Sequence, residues 1–174
     1  MEFNTLVKTK LFPILEKYGF GITEEFKNII RFQSSFIEIN IVYNDYEKSC
    51  YISIGKKGKS LYELRNNAIR ELLNSSLLVE QVVPAVFVQN LSTLFETKEG
   101  TALLKGNIDD FVKFKISEDN HYTLELVQHQ TLEAALKAWE RKDYKGFVES
   151  MNEIDFENIP LSYQLKYKIA KQKL

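Results

Sequence analysis

Between Phe36 and Gly55 the chain reads FIEINIVYNDYEKSCYISIG, two runs that are apolar at every second position on either side of a short polar turn. Side chains alternate between the faces of a strand, so Ile37, Ile39, Ile41 and Tyr43 share one face of a first strand. Cys50, Ile52 and Ile54 share one face of a second. The pattern predicts a β-hairpin with a single buried side. Such a sheet needs helices or another sheet over its apolar face, and this requirement governs what the surrounding sequence must supply.

The flanks supply helices. Phe3, Leu6, Val7, Leu11, Ile14 and Tyr18 recur at three- and four-residue steps, which predicts an amphipathic helix stopped by Gly19. Pro13 removes a backbone donor inside it, so a kink or a break into two short helices is expected there. Residues 28–33, NIIRFQ, read as a further strand, with Ser34-Ser35 turning into the hairpin. After the basic loop Lys56-Lys57-Gly58-Lys59, Ser60 and Glu63 stand in the S-x-x-E spacing of a capping box. A helix is therefore expected from Leu61, with Leu61, Leu64, Ala68 and Leu72 on its apolar face. The polar triplet Asn74-Ser75-Ser76 ends it and marks a candidate boundary.

Beyond that boundary the spacing is helical. Pro84 suits the first turn of a helix carrying Phe87, Leu91, Leu94 and Phe95; Gly106 stops a short segment around Leu103-Leu104, and Asn107 can cap a helix bearing Ile108, Phe111 and Val112. Residues 121–127, HYTLELV, fit both a strand and a helix and are read as helix. Leu132, Ala135, Leu136 and Trp139 mark a clearer helix, Tyr144, Phe147, Val148 and Met151 another, and Leu161, Leu165 and Ile169 a last one after Pro160. The expected class is α+β: a short antiparallel sheet of about three strands flanked by helices over 1–76, then a mainly helical region over 77–174. The second region either stands apart or packs with the first as a single domain.

At 174 residues and 44% hydrophobic content the chain can bury a substantial core. Its 23 basic and 24 acidic residues give no general attraction to nucleic acid or to an anionic membrane. Met1-Glu2-Phe3-Asn4 does not open a basic segment leading to an apolar core, and no stretch approaches about 20 apolar residues. A cytoplasmic chain with no membrane partner is expected. The single Cys50 has no internal disulfide partner, and its inward strand position reads as a small buried hydrophobe rather than a nucleophile.

Gly55-Lys56-Lys57-Gly58-Lys59-Ser60 lies between a predicted strand and a predicted helix, the context of a phosphate-binding loop. Its glycines are separated by two residues where that loop needs four to wrap a phosphate in backbone N–H groups, so nucleotide chemistry is not expected. His121 and His129 lack metal-ligand spacing, although His129 and Glu133 would share a helical face. Glu96/Glu99 and Asp109/Asp110 read as solvated faces or caps rather than acid/base pairs. No catalytic residue, metal or cofactor is expected.

What remains is a binding surface. Lys56, Lys57 and Lys59 sit in one basic turn, and Tyr46, Lys48, Tyr51 and Tyr62 lie near it in sequence. Tyrosine and lysine together suit an acidic protein surface or single-stranded nucleic acid, and the balanced charge favours protein. Residues 134–160 resemble one tetratricopeptide-type helical hairpin, with Ala135 at a small-residue position, Asp143-Tyr144 at the turn and Pro160 as the closing proline; Phe147 stands where that family prefers alanine. The order helix, Tyr18-Gly19-Phe20, alternating strands, then helices is similar to small uncharacterised bacterial α+β proteins, including immunity-type proteins, over about the first 75 residues. This resemblance implies a non-enzymatic inhibitor that covers a toxin's active site. The expected function is protein binding, with a toxin as one partner; an enzyme or small-ligand site in a cleft between sheet and helical region is the alternative, and nucleic-acid binding through the lysine turn the third.

Overall fold

The computed structural model describes residues 2–154 and 159–174. Its contacts divide the chain into two compact units, Met1–Ile116 and Ser117–Leu174.

The first unit opens with α1 (Phe3–Lys10) and α2 (Phe12–Glu16), which are separate helices because the chain breaks ahead of Pro13. A five-stranded antiparallel meander follows: β1 (Gly21–Phe26), β2 (Ile29–Gln33), β3 (Ile37–Asn44), β4 (Ser49–Lys56) and β5 (Tyr62–Glu63), neighbours in that order. The sheet is thus wider than the expected three strands. The β3–β4 hairpin has the alternation read from sequence: Ile37, Ile39, Ile41, Cys50, Ile52 and Ile54 are buried, while Asn40 and Tyr51 face outward and are half-exposed.

The two additional strands lie at the edges, where sequence patterning is weakest. β1, GITEEF, is exposed along its whole length and is interrupted by a bulge between Ile22 and Glu24. Edge strands keep charged residues because only one side is paired. Glu25 nevertheless faces α1, where it accepts from Lys8 Nζ at 2.8 Å and Asn4 Nδ2 at 3.3 Å. The Lys8 hydrogen bond holds its carboxyl below the usual glutamate value.

At the opposite edge the structure corrects the expected helix start. Tyr62 and Glu63 pair with Ile54 and Ser53 as β5, so Ser60 and Glu63 form no capping box, and α3 begins only at Asn66 (Asn66–Leu72). Its start is tied by partners distant in sequence. Glu80 accepts from the Asn66 amide at 2.8 Å, and the Asn66 side chain accepts from the amide of Val79 at 2.7 Å. Gly55 explains the preceding strand. A Cβ there would lie 2.3 Å from the Ser60 carbonyl oxygen, so only glycine lets the returning chain cross so closely.

Two helices complete the first unit's core. α4 (Pro84–Glu96), with proline in its first turn, buries Phe87, Leu91, Leu94 and Phe95; α5 (Lys98–Leu104) buries Leu103 and Leu104 and stops at Gly106, whose φ is +105°. Both helices contribute to the same core as the sheet. Next comes α6 (Asp109–Glu140), a single helix of 32 residues where shorter segments were expected. No glycine or proline interrupts the chain from 107 to 145, which explains its continuity.

Phe111 of α6 belongs to the first core, and Ala135 to a second. In the second unit, α7 (Tyr144–Asn152) and α8 (Leu161–Lys171) pack as a pair, and Trp139 meets Tyr144 and Phe147 edge-on at 5.6 and 5.4 Å between ring centres. Asp143 caps α7 by accepting from the Gly146 amide at 2.9 Å. The proposed tetratricopeptide-like segment is a helical hairpin as far as it is described; its residues 155–158 lie outside the described residues.

Candidate binding surface

The seven residues singled out from the sequence fall into two groups at opposite ends of one hairpin. β4 contains eight residues. At roughly 3.3 Å per step, its ends are roughly 23 Å apart. Tyr46, 95% exposed, and Lys48 lie in the β3–β4 turn, with Tyr51 just inside it. Here the side chains serve the turn itself: Asn44 Oδ1 accepts from the amides of Tyr46 and Glu47, Lys48 adopts a left-handed φ of 55°, and the Tyr51 hydroxyl donates to Glu47. That bond to a carboxylate raises the tyrosine's pKa above its usual value.

Lys56, Lys57, Lys59 and Tyr62 gather at the other end. Lys56 closes β4 opposite Ile37 and pairs with Asp109 at the start of α6, Nζ to Oδ1 2.5 Å. The hydrogen bond from Lys56 holds Asp109 below its ordinary value. Lys56, Lys59, Ser60, Tyr62, Asp109 and Val112 line an open cleft of about 340 Å³ where the sheet meets the start of the long helix. It offers one carboxylate, already tied to a lysine, and no histidine.

The backbone of this turn settles the phosphate-loop resemblance. The amide of Lys57 donates to the Phe36 carbonyl at 2.8 Å, that of Gly58 to Glu38 Oε1 at 3.2 Å, and that of Lys59 to the Lys56 carbonyl at 2.9 Å. A phosphate cradle needs such N–H groups directed at the anion. Here they are spent within the fold, with a carboxylate in the middle.

Folding brings to this end three residues that the sequence reading did not select. Phe36 is 68% exposed although it is a large aromatic. It projects between two shallow clefts: Lys56, Lys105, Gly106 and Asn107 line one with it, Tyr18, Ser34, Ser35 and Lys105 the other. Lys105 Nζ lies 5.9 Å from the centre of the Tyr18 ring, within cation–π range, and the Tyr18 hydroxyl meets that of Thr101 at 3.2 Å. The signal for Phe36 was available: it precedes the alternating run and is out of phase with the buried positions.

Both histidines lie on the part of α6 in the second unit, each beside the glutamate four residues on, His121 with Glu125 at 3.2 Å and His129 with Glu133 at 3.7 Å, all well exposed. Among the described residues no group of three or more His, Cys, Asp or Glu side chains is placed to hold a metal ion. Cys50 is buried, and burial pushes its thiol up to about 11, far from the thiolate a nucleophile requires. No helix among the described residues is long and apolar enough to cross a membrane. Comparison with protein-family models, with curated proteins and with solved structures finds no match.

Proposed function

We propose that the protein acts by binding another protein through the lysine-bearing end of the hairpin. The exposed Phe36 ring carries this reading: it stands among Lys56, Lys57 and Lys105, with shallow clefts on both sides. An aromatic anchor ringed by charge is the composition of a protein-binding hot spot, in which the ring supplies buried area and the lysines steer the approach. Carboxylates are interleaved with the cations, as Asp109 is bound to Lys56 and Glu38 to the Gly58 amide. This mixture fits a protein surface with its own pattern of charges better than a uniform phosphate backbone. The most specific form of the reading is an immunity-type inhibitor, for which the partner is a toxin.

A photo-crosslinking phenylalanine analogue at position 36 tests the proposal in the native host, with the same analogue at Tyr46 as the far-end control. One protein captured from position 36 and not from 46, and lost on Lys57→Glu plus Lys105→Glu, supports it. Capture of nucleic acid instead, or equal capture from both positions, overturns it.

A further inference from the structure

Among its described residues the second unit carries two exposed apolar faces of opposite charge. Along α8, Leu161, Leu165 and Ile169 repeat every four residues and are 70%, 52% and 44% exposed, while the opposite side of the helix buries Ala170. From Pro160 to Leu174 there are four lysines and no acidic residue. Lys168 and Lys171 flank the apolar stripe on the exposed side.

Its complement is a groove of about 310 Å³ between α6 and the end of α7. Leu124, Val127 and Ile154 line it as the apolar part, and Glu125 and Glu153 as the acidic part. Leu124 and Val127 remain 69% and 54% exposed. Residues 116–136 contain four acidic side chains and neither lysine nor arginine. Among the described residues, Leu124 and Val127 of the groove and the three residues of the stripe all stay exposed, so neither face covers the other within one chain.

We propose that these faces pair between two copies of the chain, the α8 stripe of each copy seated in the α6–α7 groove of the other. An apolar ridge bordered by lysines matches an apolar groove bordered by glutamates in both respects. Because each copy carries one of each, a two-fold arrangement satisfies both contacts and closes as a dimer. Like-charged faces would repel in any other pairing of the two elements.

The test is the association state of the full-length protein, measured by sedimentation and light scattering up to about 100 µM. The expected result is a dimer that weakens as salt rises and becomes about tenfold or more weaker on Leu165→Glu. That residue is exposed, so circular dichroism should stay unchanged and separates lost pairing from lost folding. A stricter arm uses two charge-reversed proteins, Lys168→Glu with Lys171→Glu and Glu125→Lys with Glu153→Lys. Each alone should be monomeric, because stripe and groove then carry the same sign; mixed, they should form a one-to-one heterodimer. A wild-type monomer throughout the range, a dimer indifferent to these changes, or a mixture that does not pair overturns the proposal.

Discussion

The two compact units differ in how much core supports their surface. In the first, sheet and helices enclose a continuous core from Phe3 to Phe111, including fully buried Phe32, Phe87, Phe95 and the isoleucines of β3 and β4. In the second, the buried members among the described residues are Ala135, Phe147, Val148, Met151, Ile154, Ile159 and Ala170. Two of these are alanines, which contribute little apolar area. The same unit leaves Tyr122, Leu124, Leu165 and Ile169 in solvent. A short segment cannot bury a large fraction of its surface by itself. Both units expose apolar side chains, in the first Phe26, Leu78 and Val83 as well as Phe36, so the difference between them lies in the size of the core that supports the surface.

This contrast breaks most readily at the two central phenylalanines. Phe87→Ala and Phe147→Ala each empty a fully buried site and should cost about 3–5 kcal/mol. For the smaller core this approaches the whole stability of a modest domain. Hydrogen exchange should therefore show residues 132–170 losing protection in Phe147→Ala while residues 30–54 keep theirs. Simultaneous loss in both regions would mean that the two cores unfold as one.

A smaller effect sharpens the contrast inside the first unit. Gly55→Ala drives a methyl group against the Ser60 carbonyl oxygen and should cost about 1–3 kcal/mol in denaturant unfolding. Gly58→Ala meets no atom within 4 Å and has only its φ of +70° against it. Its cost should be about 1 kcal/mol. The reverse order would mean that the turn, rather than the close crossing, constrains this sequence.

The smallest effect concerns the Lys56–Asp109 pair. Because Asp109 titrates lower when folded, its contribution is complete above the unfolded aspartate value of 3.8 and disappears as pH falls through the lowered folded value. Asp109→Asn should therefore differ slightly in melting temperature from the parent near neutrality, and the two should converge at the acid end. Both side chains are well exposed, so a large difference at neutral pH would show that the pair is supported by more than the salt bridge.

Much of the fold was legible where local pattern and burial coincide. The alternation from Ile37 to Ile54 identified the central hairpin because those strands are buried on one face, and Pro13, Pro84 and Gly106 mark helix limits because their constraints are local. β1 was illegible because an edge strand needs no apolar alternation. Ser60 and Glu63 misled because two residues at capping spacing are compatible with a helix start that Ile54 and Ser53 pre-empt by pairing with Tyr62 and Glu63. Of the candidate surface, the lysine turn was legible as composition. Its grouping with Phe36, Lys105 and Tyr18 was not, because those residues come from separate segments that only folding brings together.

The sequence by itself determined a one-sided β-hairpin, the helices that must cover it, and a chain whose balanced charges confine any charged surface to a patch. Those are consequences of periodicity and composition, which act over a few residues. Tertiary structure decided that the glycine–lysine turn directs its amides inward, that Phe36 stands exposed among cations, and that Glu80 rather than Ser60 secures the start of α3. Each depends on a partner distant in sequence, and hydrogen bonds and exposure are set by what folding brings alongside.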